Sequence, residues 1–210
     1  MHDSQPVSAE QCMSREDETR LIARAARGHA DSFRALVEAY KDRLFGFVWR
    51  IVRNHHEAED LCQGAFVKAY ESLASYSREY AFSTWLFTIA YRLCLNSLRK
   101  KKAVSTDVDL TAIGGAVDDA ASGLAGSEEV ERLRDRIWSA VDQLSLPQKS
   151  AVLLFYREGK SCQEIGAILD MPPVTVKSHL HRAREKLRGL LSAEMADDWM
   201  AIRFSGSDSA

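Results

Sequence analysis

At 210 residues, 46% of them hydrophobic, the chain can hold one ordinary domain or two small ones and can bury real cores, which excludes a globally disordered protein. Its 28 Lys and Arg nearly balance 30 Asp and Glu, and a net charge of −2 argues against a general polyanion binder. No apolar run approaches the ~20 residues that cross a bilayer, so no direct membrane insertion is expected. The N-terminus, MHDSQPVSAEQCMSRED, lacks the apolar core and basic flank of a secretory signal. Cys12, Cys62, Cys94 and Cys162 are widely spaced and form no CxxC pair. Reduced thiols and a cytoplasmic location are the expectation, with Cys62, Cys94 and Cys162 acting as small core residues.

Residues 1–14 are polar and read as a frayed tail. Ser14 with Asp17 predicts a helix cap, and Leu21, Ile22 and Ala25 carry that helix to a stop at Gly28. Asp31 reopens the pattern. Phe33, Leu36, Val37, Tyr40, Leu44, Phe47, Val48 and Ile51 then mark a long amphipathic helix that should end near Asn54-His55-His56. The next helix is expected over Glu57–Leu73, with Leu61, Ala65, Phe66, Ala69 and Leu73 buried and Glu59, Asp60, Gln63 and Lys68 projecting elsewhere. Gly64 within it costs ~1 kcal/mol relative to alanine. A polar, Tyr-rich loop around Tyr76 to Tyr80 leads into a helix over Phe82–Lys102, whose core stripe is expected at Phe82, Leu86, Ile89, Ala90 and Leu93. On its other side Thr88, Arg92, Asn96 and Arg99 align at four, four and three residues. That makes a polar stripe about 16 Å long.

Residues 103–129 carry Gly, Ala, Ser and Asp without sustained periodicity and read as an interdomain linker. Charge is unevenly placed around this junction. Ala90 to Lys102 holds Arg92, Arg99, Lys100, Lys101 and Lys102 with no acid; Ala103 to Glu131 holds Asp107, Asp109, Asp118, Asp119, Glu128, Glu129 and Glu131 with no base. Basic patches parted by an acidic, flexible segment suit two separate polyanion-contacting surfaces.

Leu133, Ile137, Val141 and Leu144 begin a second helical domain, expected over 130–192. Pro147 opens a helix that includes Val152, Leu153 and Phe155 and stops at Gly159. The stretch Ser161–Leu191 then reads as two helices split by a Pro-containing turn. Ser161 and Glu164 have capping-box spacing, and Ile165, Ile168 and Leu169 share a face. Asp170-Met171-Pro172-Pro173 ends that helix. In the second, Val176, Leu180, Ala183, Leu187 and Leu190 recur at four, three, four and three residues, while Lys177, Ser178, His181, Arg182 and Arg188 lie off that seam. A buried seam with a donor-rich outer face, preceded by a supporting helix, is the helix-turn-helix plan, whose second helix enters the DNA major groove. Residues 193–210 form a tail, in which Trp199, Met200, Ile202 and Phe204 can make a short docking turn. The fold class expected is all-α, two helical domains joined by a flexible acidic linker, with region 15–102 as the first domain.

Three stretches in order carry a family resemblance: EAEDLCQGAFVKAY, FSTWLFTIAYRLCLNSLRKK and LPQKSAVLLFYREGKSCQEIGAILDMPPVTVKSHLHRAREKL. Over about residues 18–102 and 130–191 the chain resembles the bacterial RNA polymerase sigma factors of the extracytoplasmic-function (ECF) group. The resemblance implies a transcription initiation factor without catalysis or cofactor, built from sigma region 2 and sigma region 4. It assigns Asp60 and Gln63, with Glu59 nearby, to a coiled coil of the polymerase β′ subunit, and makes core RNA polymerase (β′ and β) and promoter DNA the partners. The loop Ser75–Ala81 would help hold a flipped −10 base, with Tyr76 and Trp85 as a stacking or wedge surface. Thr88, Arg92, Asn96, Arg99 and Lys100 would contact −10 phosphates or base edges. At −35, Thr175, Lys177, Ser178, His179, His181 and Arg182 would reach phosphates and bases, the first setting register and the second sequence preference. Many relatives are held by an anti-sigma factor, whose identity nothing in the sequence gives. In the family such linkers run near the RNA exit path.

The chain departs from the family pattern at Gly64, where an acid is usual, at His179, where Arg is common, and at Pro173-Val174. TVKSHL is also similar to the recognition helix of LuxR-type regulators, so a stand-alone helix-turn-helix regulator is one competing reading. A pure protein-interaction module with solvated basic faces is another. A metal site at His55, His56, Glu57, Glu59 and Asp60 is a third, although acids are favoured at a helix start in any case.

Overall fold

A computed structural model of the chain describes residues 13–77, 79–105 and 128–191. The expected frayed tail, most of the acidic linker, Arg78 of the Tyr-rich loop and the C-terminal docking turn lie outside those residues. Among the described residues every regular element is helical, in two packed groups: α1 (Arg15–Ala25), α2 (Ala30–Val52), α3 (His55–Glu71) and α4 (Phe82–Ser105), then α5 (Glu128–Asp142), α6 (Leu146–Val152), α7 (Cys162–Leu169) and α8 (Pro173–Leu190). The all-α, two-domain expectation holds.

α1, α3 and α7 start where short polar side chains satisfy orphan backbone donors. Ser14 accepts from the Asp17 N–H, and Asn54 accepts from the Glu57 N–H at 2.9 Å. This second cap corrects the expected start of α3. Asn54 is a cap rather than the end of α2, so α3 begins at His55, ahead of Glu57. Arg53, in left-handed geometry at φ 55°, makes the sharp break from α2. At its far end α3 stops at Glu71, and Leu73–Ser75 forms a 3₁₀ turn. α3 runs unbroken through Gly64, and α4 runs to Ser105, past the expected end at Lys102.

In the first bundle α2 packs against α1, α3 and α4, and α3 against α4. Its centre is Leu36, Leu44, Phe47, Val48, Phe82, Leu86 and Phe87, all fully buried. Phe47 and Phe87 meet with ring centroids 5.2 Å apart. The buried face of α4 is rotated from the one expected: Phe87, Tyr91 and Cys94 are buried, whereas Ile89 and Leu93 are half-buried. Leu61 on α3 is likewise half-buried and Cys62 takes the inner position. Burial pushes the Cys62 and Cys94 thiols up to about 12, which leaves them protonated and unreactive.

In the second bundle α8 packs on α5, α6 and α7. α6 does not run on as an α-helix: Leu153–Arg157 is a π-helical turn, after which Gly159 turns the chain at φ 64°. Ser161 and Glu164 form the expected capping box. Val176, Leu180, Ala183 and Leu187 make the seam, but Leu190 is 40% exposed and Leu191 is buried instead, because the chain leaves the helix and becomes extended there.

The two bundles touch. α7 packs on α4 and α6 on α2. Arg157 lies across α2 at Gly46, where an added Cβ would fall 2.5 Å from its guanidinium. Trp138 of α5 stacks on the guanidinium of Arg50, 3.1 Å from ring centroid to Cζ. Arg43 holds Glu158 through two nitrogens, at 2.9 and 2.8 Å, and Arg53 pairs with Asp142 at 2.9 Å.

Candidate functional site

Three surfaces gather the candidate residues. On α3, Glu59, Asp60 and Gln63 are exposed together on the outer face. Glu59 lies within 3.4 Å of His55 and 3.5 Å of His56, two side chains of the same helix end. Among the described residues no group of three or more His, Cys, Asp or Glu is placed to hold a metal ion. Val67 and Tyr70 continue the line at 55% and 45% exposure, and Phe33 of α2 meets Tyr70 edge-on at 4.9 Å. Asp60, Gln63, Val67 and Tyr70 recur at three, four and three residues, one face of one helix. The aromatic part of this face was missed from sequence, although that spacing was readable.

The second surface is α4 with its preceding loop. The Tyr76 hydroxyl donates to the Tyr80 carbonyl at 2.7 Å and closes the loop on itself. The Tyr76 ring lies 5.2 Å from Trp85 and 5.8 Å from Phe82, so Trp85 is half-buried in an aromatic cluster at the loop's edge. The polar stripe divides. Thr88 turns its hydroxyl back to the Thr84 carbonyl at 2.8 Å, whereas Arg92, Asn96, Arg99 and Lys100 stand exposed. Lys101 is drawn aside to Glu57 on α3 at 2.5 Å.

The third surface is α8. Its turn depends on Gly166, since a Cβ there would meet the Met171 carbonyl oxygen at 2.7 Å, and on Asp170 in left-handed geometry at φ 56°. Pro173 occupies the first helical turn, where its missing N–H costs nothing. Lys177, Ser178, His181 and Arg182 stand on the outer face. Ser178 donates to the Val174 carbonyl at 3.1 Å, and His181 lies 3.6 Å from Glu185. Thr175 and His179 sit at the flank of the seam, half-buried, and the Nδ1 of His179 is sealed from solvent without a hydrogen-bond partner. His179 is thus a wall of the helix pair more than a free donor.

Between the second and third surfaces lies a polar cluster that sequence reasoning did not find. Lys160 is buried, and its ammonium donates to Ser83 at 2.5 Å, Thr84 at 3.0 Å and Glu164 at 3.2 Å. Thr84 in turn donates to Glu164 at 2.8 Å. Burial of the Glu164 carboxyl opposes its charge, but the Ser161 N–H, the Thr84 hydroxyl and the Lys160 ammonium outweigh it and hold its pKa at about 2, against an ordinary value of 4.5. A depressed folded-state pKa contributes stability that is present above the ordinary value and is lost as pH falls through the folded one. Acid titration should therefore loosen this cluster between about pH 5 and about pH 2. Tryptophan fluorescence during acid titration of the chain and of Glu164→Gln checks this. The variant should start less stable and show a flatter loss over that window; parallel curves would count against the assignment.

Sequence comparison matches the Sigma-70 region 2 family over residues 36–104 and the Sigma-70, region 4 family over residues 134–187. The chain is 35% identical over 177 residues to the ECF RNA polymerase sigma factor SigW of Bacillus subtilis, covering 80% of this chain and 94% of that protein. It is 34% identical over 181 residues to the RNA polymerase sigma-H factor of Pseudomonas aeruginosa, covering 83% and 94%. Its fold is similar to that of the sigma factor RpoE solved in complex with the anti-sigma factor NepR from Bartonella quintana, with a TM-score of 0.66 at 26% identity, over 77% of this chain and 98% of that chain.

Proposed function

This chain belongs to the extracytoplasmic-function (ECF) sigma factors of bacterial RNA polymerase, and from that premise we propose which of its surfaces meet the polymerase and which the promoter. As an ECF sigma factor it binds core RNA polymerase and directs promoter-specific initiation, with recognition and melting at the −10 element and recognition at the −35 element. It carries out no covalent chemistry; the polymerase it joins does. Its place of work is the cytoplasm, and no helix among the described residues is long and apolar enough to cross a membrane.

The observation that carries the assignment is the separation of two donor-rich faces, on α4 and α8, from a third face on α3 that is acidic at one end and aromatic at the other. On α3, Glu59, Asp60 and Gln63 meet the β′ coiled coil, and Val67 and Tyr70 extend that contact. Aromatic residues are enriched at protein interfaces, which suits an exposed tyrosine on this face. On region 2 (15–102), Tyr76 and Trp85 stack on −10 bases, while Thr88, Arg92, Asn96, Arg99 and Lys100 line the path of the strand. On region 4 (130–192), Lys177, Ser178, His181 and Arg182 meet the −35 groove, with Thr175 and His179 shaping the helix edge. Residues 103–129 join the two as a linker. A relative bound to an anti-sigma factor supports an anti-sigma partner for this chain as well.

Gel shifts of a promoter fragment with and without core enzyme separate this reading from a stand-alone regulator. A shift that needs core supports it; strong promoter-specific binding by the chain alone would favour the regulator. For the α3 face, Asp60→Ala and Tyr70→Ala should each weaken core binding about tenfold, the effect of about 1.4 kcal/mol that marks the minority of contacts carrying most of an interface's energy. The Asp60 side chain is exposed, so Asp60→Ala should change thermal stability little, whereas Tyr70→Ala also gives up the edge contact with Phe33 and should lower it modestly. Unchanged core affinity in both variants would remove this helix from the interface.

A further inference from the structure

Val174 is the most exposed large hydrophobic side chain among the described residues, at 69%. A single exposed apolar residue is ordinary on a protein surface; this one is set apart by its neighbours. Lys177, Ser178 and His181 follow Val174 at three, four and seven residues, so the four share one face of α8. That face lies opposite the buried seam of Val176, Leu180, Ala183 and Leu187. An apolar group therefore opens a row of polar ones, at the second residue of the helix.

The backbone beneath Val174 is held on both sides. Asp170 takes left-handed geometry at φ 56°, and Pro172 is extended at φ −59° and ψ 144°. The Pro173 ring lies close over Gly166 of α7, where an added Cβ would fall 3.7 Å from its Cδ. The Thr175 and Val176 N–H groups both donate to the Pro172 carbonyl, at 2.9 and 3.2 Å. Valine in a helix strongly prefers one χ1 rotamer. The two methyl groups are thus presented in one direction, with little side-chain entropy left to lose on contact. One turn on, Ser178 donates its proton back to the Val174 carbonyl at 3.1 Å, so beside those methyls it offers a base only an acceptor.

We propose that Val174 is a specificity-determining residue of this chain, whose methyls contact the C5-methyl group of a thymine in the −35 element. The proposal rests on the reading of α8 as the −35 helix. Residues at the N-terminal end of a recognition helix are the ones that reach base edges in the major groove. Of the four bases only thymine carries an apolar group there, and apolar side chains are its ordinary partners. Donors such as Lys177 and Arg182 suit phosphates and guanine instead. Val174 favours thymine over cytosine by two effects of the same sign. It gains an apolar contact with the thymine methyl, and against cytosine it would cover the N4 amino group without supplying an acceptor.

Replacing thymine by deoxyuridine removes only that methyl, and so isolates the contact. Holoenzyme assembled with the full chain is titrated against a cognate promoter in which each thymine of the −35 element, on either strand, is replaced singly by deoxyuridine. At one position wild-type holoenzyme should bind about fourfold more weakly, the factor for one buried methyl. Cytosine there should cost more, and 5-methylcytosine should recover part of that loss. Val174→Ala puts a better helix former at an exposed site, so the fold should be kept. With it the thymine and deoxyuridine promoters should bind alike, and Val174→Thr, which keeps one methyl, should fall between. A scan without any deoxyuridine penalty overturns the proposal, and so does a penalty that Val174→Ala leaves unchanged. Lys177→Ala combined with Arg182→Ala then shows which premise failed. If that double variant weakens promoter binding, α8 reads the −35 element without Val174; if it does not, the reading of α8 is what fails.

Discussion

Arg92→Glu combined with Arg99→Glu should lower run-off transcription from a cognate promoter about a hundredfold, since each lost contact to a base or phosphate is worth about 1–3 kcal/mol and reversal adds repulsion. Both side chains are exposed on the outer face of α4, so the fold should survive. On the proposed reading core binding runs through α3 and should be unaffected. The loss therefore belongs to the promoter step, and fluorescence of a base analogue in the −10 element should show that strand separation fails. The salt dependence of promoter binding should flatten by about two units of slope, as expected when two phosphate-neutralising charges are gone. Wild-type transcription from the double variant would place the −10 strand elsewhere on region 2 and make the basic end of α4 an ordinary solvated terminus.

Phe87→Ala should lower the free energy of unfolding by about 3–5 kcal/mol, a large part of the total for a marginally stable domain. Phe87 is fully buried against Phe47 at the meeting of α2 and α4. Removing the ring leaves a cavity between two long helices that carry the rest of the bundle and cannot collapse independently. Ile89→Ala on the same helix is the comparison. Its side chain is half-buried, so the loss should be well below that for Phe87. Urea titrations of the two variants decide the matter; equal losses would mean that the core of α4 faces the side expected from sequence.

Much of the architecture was readable before any coordinates, because its causes are local. Ser14, Ser161 and Glu164 sit where capping chemistry puts them, and Pro147, Pro173 and Gly159 mark helix limits through their own backbone restrictions. Asn54 is ambiguous in sequence because capping residues and residues ending a preceding helix look alike; the left-handed Arg53 beside it resolves the two. Periodicity places Leu190 in the α8 seam, yet the helix ends there and Leu191 turns inward. The candidate faces were legible in the same way. Asp60 with Gln63, and Arg92 with Asn96 and Arg99, announced themselves as polar residues on helical spacing, and the resemblance gave them partners. Val67 and Tyr70 shared the spacing but were apolar, and an apolar residue at that position looks like core until its exposure is known.

What the sequence by itself determined is a set of amphipathic helices with marked ends, a helix-turn-helix near the C-terminus, and two basic faces separated by an acidic stretch. Those follow from backbone preferences and hydrophobic spacing, which act over one or two turns. Only the tertiary structure decided which arc of α4 is buried, because α2, α3 and α7 converge on that helix and widen its core to include Phe87, Tyr91 and Cys94. It also decided that Ser83, Thr84 and Lys160, unremarkable as single letters, meet across residues 77 and 76 positions apart in the chain. Hydrogen bonds between distant segments leave no period in a sequence. They exist only once two separately specified surfaces have been brought together.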